Sequence, residues 1–238
     1  MSQNAVLRTK REAELLWLTL NRPHAANALD RALQDALVAA LATAAGDDRV
    51  RAVVLCAAGE RVFSAGADLK EFSELDSGAA MLRRRELLLR TLLALLDFPK
   101  PLICAVQAKA VGAGVMLALA ADEVLGAEGA SFAFPEVHSG MPSPMGAAMV
   151  AARGSHSAVQ RLIQAGEVVD AAQARDLGMV DAVTARDALL EQARARASAL
   201  PSGRAYAGNK QWINRDLRSR LAEAALAATR LQTGGNPI

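Results

Sequence analysis

Residues 15–57 read LLWLTLNRPHAANALDRALQDALVAALATAAGDDRVRAVVLCA, and three signals follow one another along this stretch. Leu15 to Leu20 is a β-compatible apolar run stopped by Asn21-Arg22-Pro23, whose proline cannot continue a ladder. Leu29, Leu33, Leu37 and Leu41 recur at every fourth position, which sets them on one face of a helix. Val50 to Ala57 is an unbroken apolar run of strand length, the pattern of a strand covered on both sheet faces. Strand, helix and strand in this order make a βαβ unit, so the chain is α/β.

Working outward, a loop from Gly59 to Lys70 leads to a helical pattern over Met81 to Asp97 and an apolar run from Pro101 to Val106. Gly112-Ala113-Gly114 opens a helix over Val115 to Ala121, and Val124 to Ala127 and Ser131 to Phe134 read as short strands. The region 141–165 reads as helical. A short helix from Ala171 to Leu177 is stopped by Gly178 at its C′ position. From Ala185 the chain turns to Ala, Arg and Leu at helical spacing, interrupted only by Pro201-Ser202-Gly203. The expected organisation is an α/β core over 1–184 and a helical C-terminal lid or assembly region over 185–238.

The chain has 238 residues, 52% hydrophobic and 22% charged, which is the composition of an ordinary soluble globular protein able to bury a core without disulfides or metals. A net charge of +2 and only 3% aromatic residues argue against a nucleic-acid module built on base stacking. Cys56 and Cys104 each lie inside an apolar run and read as buried reduced thiols of a cytoplasmic protein. His24, His138 and His156 stand at unrelated spacings and suggest no metal site. The N-terminal MSQNAVLRTKREAE is polar and carries no secretory signal. Residues 101–121 approach the length of a membrane span. Gln107 and Lys109 in their middle, two glycines and a leading proline instead favour a buried strand, a polar turn and a buried helix, and no membrane association is expected.

Three features carry candidate chemistry. The loops Phe63 to Lys70 and Ala110 to Gly114 both follow buried strands and are built of small residues, so another group can approach their main chain closely. Two such loops converging would offer N–H donors to a developing negative charge, an oxyanion hole. Tight strand–helix packing accounts for small residues equally well. Gly112-x-Gly114 lacks the third glycine of a dinucleotide fingerprint. The third feature is Glu136 in Phe134-Pro135-Glu136-Val137: between apolar neighbours its carboxyl would be raised by desolvation into the range of a general acid or base, unless it is simply an exposed loop glutamate.

Together these stretches resemble the crotonase superfamily, the enoyl-CoA hydratase/isomerase family, from about residue 15 to residue 230. The resemblance rests on NRP and NAL within 21–29, RVFSAGADLK at 61–70, PKPLICAV at 99–106, VGAG at 111–114, FPEV at 134–137 and AAQARDLGMVD at 171–181. It implies a spiral of repeated ββα units with a helical C-terminal region, assembled as a homotrimer or a dimer of trimers. It also implies an acyl-CoA thioester substrate and no cofactor beyond the coenzyme A that the substrate carries. The main-chain N–H groups of Ala67 and Ala113 match the family's two oxyanion donors. Ala65, Asp68, Leu69 and Lys70 match the stretch lining the nucleotide and pantetheine path, and His24 and Ala25 match a second CoA-contacting stretch.

The departures bear on the reaction. Hydratases of the family carry two glutamates, and this chain has Met116 at the first position and Glu136 at the second. Hydration needs groups that activate water and deliver a proton, whereas one carboxylate suffices to carry a proton between C2 and C4 of the same substrate. The resemblance therefore implies double-bond migration from Δ3 to Δ2. Hydration by one glutamate, or acyl-CoA or partner binding without turnover, is the alternative. Gln107-Ala108 replaces the usual turn before the second oxyanion loop, and Ser143-Pro144-Met145-Gly146 replaces a glycine-rich stretch, so Met145 is expected to shape the acyl pocket. The chain ends at GGNPI, where relatives usually continue with a basic helix. This raises a looser grip on CoA, an acyl carrier protein in its place, or a lid completed by a neighbouring subunit. Arg153, Arg161, Lys210 and Arg218 read as surface charges with phosphate contact as their other reading.

Overall fold

The computed structural model, which describes residues 5–71, 73, 75 and 77–232, builds the βαβ unit where the sequence sets it. Strands β1 (Leu7–Glu12) and β2 (Leu15–Leu20) form an antiparallel hairpin turned at Ala13, which has φ 50. Helix α1 (Arg31–Ala45) is capped by the Asp30 side chain, which accepts from the Leu33 N–H, and its Leu33, Leu37 and Leu41 are buried. It returns the chain to β3 (Ala52–Ala57), parallel to β2. β1 is absent from the sequence reading because it is an edge strand whose residues from Arg8 to Arg11 face solvent, and apolar patterning is not required there.

The expected Gly59–Lys70 loop contains a short strand, β4 (Val62–Ser64), and the next helix begins earlier than its pattern suggests, as α2 (Ser77–Leu96). β5 (Leu102–Val106), β6 (Lys109–Val111) and α3 (Ala113–Leu119) resolve residues 101–121 into strand, turn, strand and helix. No helix among the described residues is long and apolar enough to cross a membrane. β7 (Glu123–Ala127) and β8 (Ser131–Ala133) follow. The region 141–165 is not one helix. α4 (Pro144–Arg153) stops at Gly154, and α5 (His156–Ala158), capped by Ser155, runs on as a π turn over Val159–Gln164. β9 (Val169–Asp170), α6 (Ala171–Asp176) with an Asp170/Gln173 capping box, β10 (Ala182–Thr184), α7 (Leu189–Ala199) and α8 (Arg204–Gln232) complete the described chain.

The strands form a six-stranded sheet in the order β1-β2-β3-β5-β7-β10 and a four-stranded sheet in the order β4-β6-β8-β9. In β3, Val53 and Leu55 join the main core with α1, α2 and α3, while Ala52, Val54 and Cys56 face the other side. α7 seals that side with Leu189, Ala193 and Ala197. Coverage of both faces is the physical reason for the unbroken apolar run in this strand. α8 packs on α4 and α2 and adds Leu217, Leu221 and Ala224 to the main core.

Candidate functional site

The smaller sheet organises the site. β4, β6 and β8 are parallel neighbours, and each runs at its C-terminal end into one of the three candidate features. β4 leads to Ala65-Gly66-Ala67, β6 to Gly112-Ala113, and β8 to Phe134-Pro135-Glu136. Carboxyl ends of parallel strands are where α/β sheets collect their functional groups.

The two small-residue loops meet. A Cβ added to Gly66, at φ +88, would lie 2.7 Å from the Val111 carbonyl oxygen and 3.2 Å from the Ala113 nitrogen, so only glycine permits this approach. The first loop is held from behind by the segment 26–29: Ala65 N–H donates to Ala26 O (2.9 Å), Leu29 N–H to Gly66 O (2.8 Å) and Asp68 N–H to Leu29 O (3.3 Å). The buried Ser64 hydroxyl donates to Asn27 O (2.8 Å) and accepts from the Gly66 N–H (3.2 Å). Gly112 N–H donates to Ala133 O (2.8 Å), leaving the next amide to open α3. The N–H groups of Ala67 and Ala113 have no hydrogen-bond acceptor among the described residues.

Glu136 sits in a single 3-10 turn (Pro135–Ser139) begun by Pro135. Its Oε1 would be 2.6 Å from a Cβ on Gly112, so the carboxyl lies against the loop that carries Ala113. Oε2 is buried with no partner. Burial pushes the Glu136 carboxyl above its usual range, with its own main-chain N–H opposing weakly. The group is a half-buried base of raised proton affinity beside two unclaimed amide donors.

A cavity of about 310 Å3 joins these groups. Of the expected residues, Ala65, Ala67, Leu69, Ala113 and Met116 line it. So do Glu136 and the buried Met145. His24, Ala25, Asp68 and Lys70 are not among its lining residues. His24 and Lys70 are exposed. Asp68 is drawn aside by Arg22, which bonds it at 3.0 Å and also pairs with Asp30 at 3.0 Å. Burial raises the Asp68 carboxyl, but Arg22 and the Lys70 N–H outweigh burial and hold it below its usual range.

The four basic residues read as surface charges are all in ion pairs: Arg153 with Asp181, Arg161 with Glu167, Lys210 with Asp122 and Arg218 with Asp97. Lys210 is buried, not a surface charge. Gln107 bonds the carbonyls of Gly59 (3.0 Å) and Val62 (3.3 Å), so its side chain ties the approach to β6 against the start of β4.

The sequence reading missed Asn27, Ser64 and one wall of the cavity. Asn27 is fully buried at φ 50, accepts from the Arg22 N–H and donates to Ala58 O and Val62 O. A polar residue within the otherwise apolar AANAL stretch is the one signal that marks it. The missed wall is α2, which lines the cavity with Met81, Arg84, Arg85 and Leu88.

The chain is also similar to known proteins. The profile of the family described as Enoyl-CoA hydratase/isomerase matches residues 10–234. The 2,3-dehydroadipyl-CoA hydratase of Escherichia coli (strain K12) is 40% identical over 189 residues, covering 79% of this chain and 72% of the relative. A probable enoyl-CoA hydratase of Rhizobium meliloti (strain 1021) is 37% identical over 217 residues, covering 90% and 83%. Among solved structures, an enoyl-CoA hydratase of Mycobacterium smegmatis aligns with a TM-score of 0.82 at 31% identity, over 95% of this chain and 91% of that one.

Proposed function

The chain belongs to the enoyl-CoA hydratase/isomerase family, and from that premise we propose that it moves the double bond of an enoyl-CoA from Δ3 to Δ2 with Glu136 as its single base. The observation that carries this reading is that Glu136 is the only carboxylate among the described residues lining the cavity, with the buried Met116 on the α3 wall. The Glu136 carboxylate takes a proton from C2, and the electron pair spreads over the thioester as a dienolate. The N–H groups of Ala67 and Ala113 donate to its oxygen. The same carboxyl returns a proton at C4, leaving the double bond between C2 and C3. No water enters the balance, and the reaction draws on no cofactor beyond the coenzyme A of the substrate.

Hydration is the second reading, favoured by the names of the relatives, several of which are called hydratases. Incubating the protein with a 3-enoyl-CoA in D2O and following products by proton NMR separates the two. The 2-enoyl thioester alone is the expected product, and accumulation of 3-hydroxyacyl-CoA would overturn the single-base argument. Glu136→Gln should lose nearly all turnover and keep affinity for a saturated acyl-CoA. A binding protein would have no turnover to lose.

A further inference from the structure

The turn that carries Glu136 takes its shape from its own residues. Pro135 starts it and Gly140 ends it at φ 67. Gly140 N–H donates to Val137 O (3.1 Å) and Met141 N–H to Glu136 O (3.0 Å). These bonds do not fix where the turn stands against the two amide donors. Burial does not fix it either, since Pro135–Ser139 contains no buried residue. The carboxyl is no tether: Oε2 has no partner, and the group's hydrogen-bonding neighbour is its own main-chain N–H. A second cavity, of about 240 Å3, is lined by Glu136 and Val137 together with Ile163 and Gln164 of the π turn. Packing therefore does not wedge the Glu136 turn against the π turn, and the turn has space to move into.

His138 spans that gap. Its Nε2 lies 3.1 Å from Gly166 O, and because a carbonyl oxygen only accepts, Nε2 carries the proton and donates. The far end of the bond is firm. Ala165 N–H donates to Gln160 O (2.9 Å), Glu167 N–H donates to Arg161 O (2.8 Å), and just beyond them Val169 pairs with Phe132 of β8. Gly166 has φ +64, and a Cβ there would collide with His138 Nε2 and lie 2.7 Å from Val137 Cγ1, so glycine is what lets the ring reach the carbonyl. Resting on Glu136 as the base of the proposed reaction, we propose that His138 is the positioning residue of that base. Its bond to Gly166 O holds the Glu136 carboxyl beside the Ala67 and Ala113 amides and keeps the turn out of the second cavity. His138 acts through Glu136 and does not line the acyl cavity. Misplacing a catalytic group by about 1 Å costs about a hundredfold in rate.

The test compares His138→Ala, which removes the donor from an exposed side chain, with His138→Gln, whose amide nitrogen reaches the same carbonyl. Turnover is read as kcat on whichever of a 3-enoyl-CoA and a 2-enoyl-CoA the parent converts. Affinity for a saturated acyl-CoA is read by titration calorimetry, and amide hydrogen exchange over residues 136–141 is read without ligand. In His138→Ala, kcat should fall by about tenfold to a hundredfold, affinity should stay at the parent's value and exchange should quicken. His138→Gln should recover most of the lost kcat and protection. Gly166→Ala, which keeps the imidazole and drives it off the carbonyl, should reproduce His138→Ala. A loss of kcat that His138→Gln does not recover, or one matched by an equal loss of affinity, would overturn the proposal. Unchanged exchange in His138→Ala overturns it whatever the parent converts. A parent that converts neither substrate, beside quickened exchange in His138→Ala, overturns the enzyme reading alone. An active parent beside an equally active His138→Ala overturns the His138 proposal alone.

Discussion

Replacing Ala113 by proline deletes one main-chain donor at a position built to tolerate it. Ala113 is the first residue of α3, where proline is at home because the N–H has no partner within the helix. Gly112 before it has φ 51 and ψ −116, outside the right-handed helical region that a following proline disfavours. The fold should therefore lose no more than about 1 kcal/mol, seen as a fall of roughly 2–4 °C in Tm for a chain of this length. If that N–H stabilises the enolate oxygen, its loss removes about 2.7–4 kcal/mol of transition-state stabilisation, or about a hundredfold to a thousandfold in kcat. The assay is kcat on a 3-enoyl-CoA, with a thermal melt and the affinity for a saturated acyl-CoA measured on the same sample. The affinity separates a lost donor from a cavity blocked by the ring. A folded variant that binds ligand and keeps kcat within about tenfold of the parent would refute the assignment of this amide.

Burial raises the Glu136 carboxyl above its usual value of 4.5, so the acid limb of kcat/KM for the parent should lie above that pH, and a limb at or below it would contradict Glu136 as the base. The folded state also holds this proton more tightly than the unfolded chain. The associated stability is complete below the usual value and is lost as pH rises through the raised one, so Glu136→Gln should flatten this part of the stability profile in denaturant titrations. Met116→Glu should introduce measurable hydration of a 2-enoyl-CoA and lower Tm by burying a second carboxyl in the α3 wall. A folded variant without hydration would show that more than this residue separates the two reactions. Trp212, Ile213 and Leu226 are exposed along α8, and we expect a homotrimer or dimer of trimers by light scattering, which a monodisperse monomer would contradict.

The elements that the sequence announced are those whose side chains are forced by packing. β3 and β5 are apolar at every position because both sheet faces are covered, and α1 shows its leucine stripe because one face meets the core. β1 and β10 hid, the first because its residues are solvated and the second because it is three residues long at the sheet's other edge. The site was legible in its glycines. Gly66 and Gly112 mark where the Ala113 nitrogen and the Glu136 carboxyl press against main chain, and no other residue fits there. The α2 wall was not legible, since a run of three arginines, Arg83 to Arg85, carries no mark of a cavity in sequence and only the fold sets Arg84 and Arg85 on its lining. Asp68 is adjacent in sequence to Ala67, but its side chain is committed to Arg22, which only the fold reveals.

With Glu136 as the one carboxylate among the described lining residues, the cavity keeps its charge constant through the proposed reaction. Before proton transfer the negative charge is on Glu136. Afterwards the glutamic acid is neutral and the charge rests on the thioester oxygen, facing the amides of Ala67 and Ala113. Desolvation that destabilises the Glu136 carboxylate therefore raises its driving force for taking the C2 proton, and the fixed amide dipoles receive the charge with little reorganisation. A second carboxylate at position 116 would change this balance. Two carboxyl groups facing one cavity cannot both ionise without mutual repulsion, so one would hold a proton at neutral pH. That arrangement provides an acid together with a base, which is what addition of water requires. Met116, almost fully buried and uncharged, leaves Glu136 as the one carboxylate among the described residues lining the cavity, and this is the physical ground for proposing a proton shuttle in place of hydration.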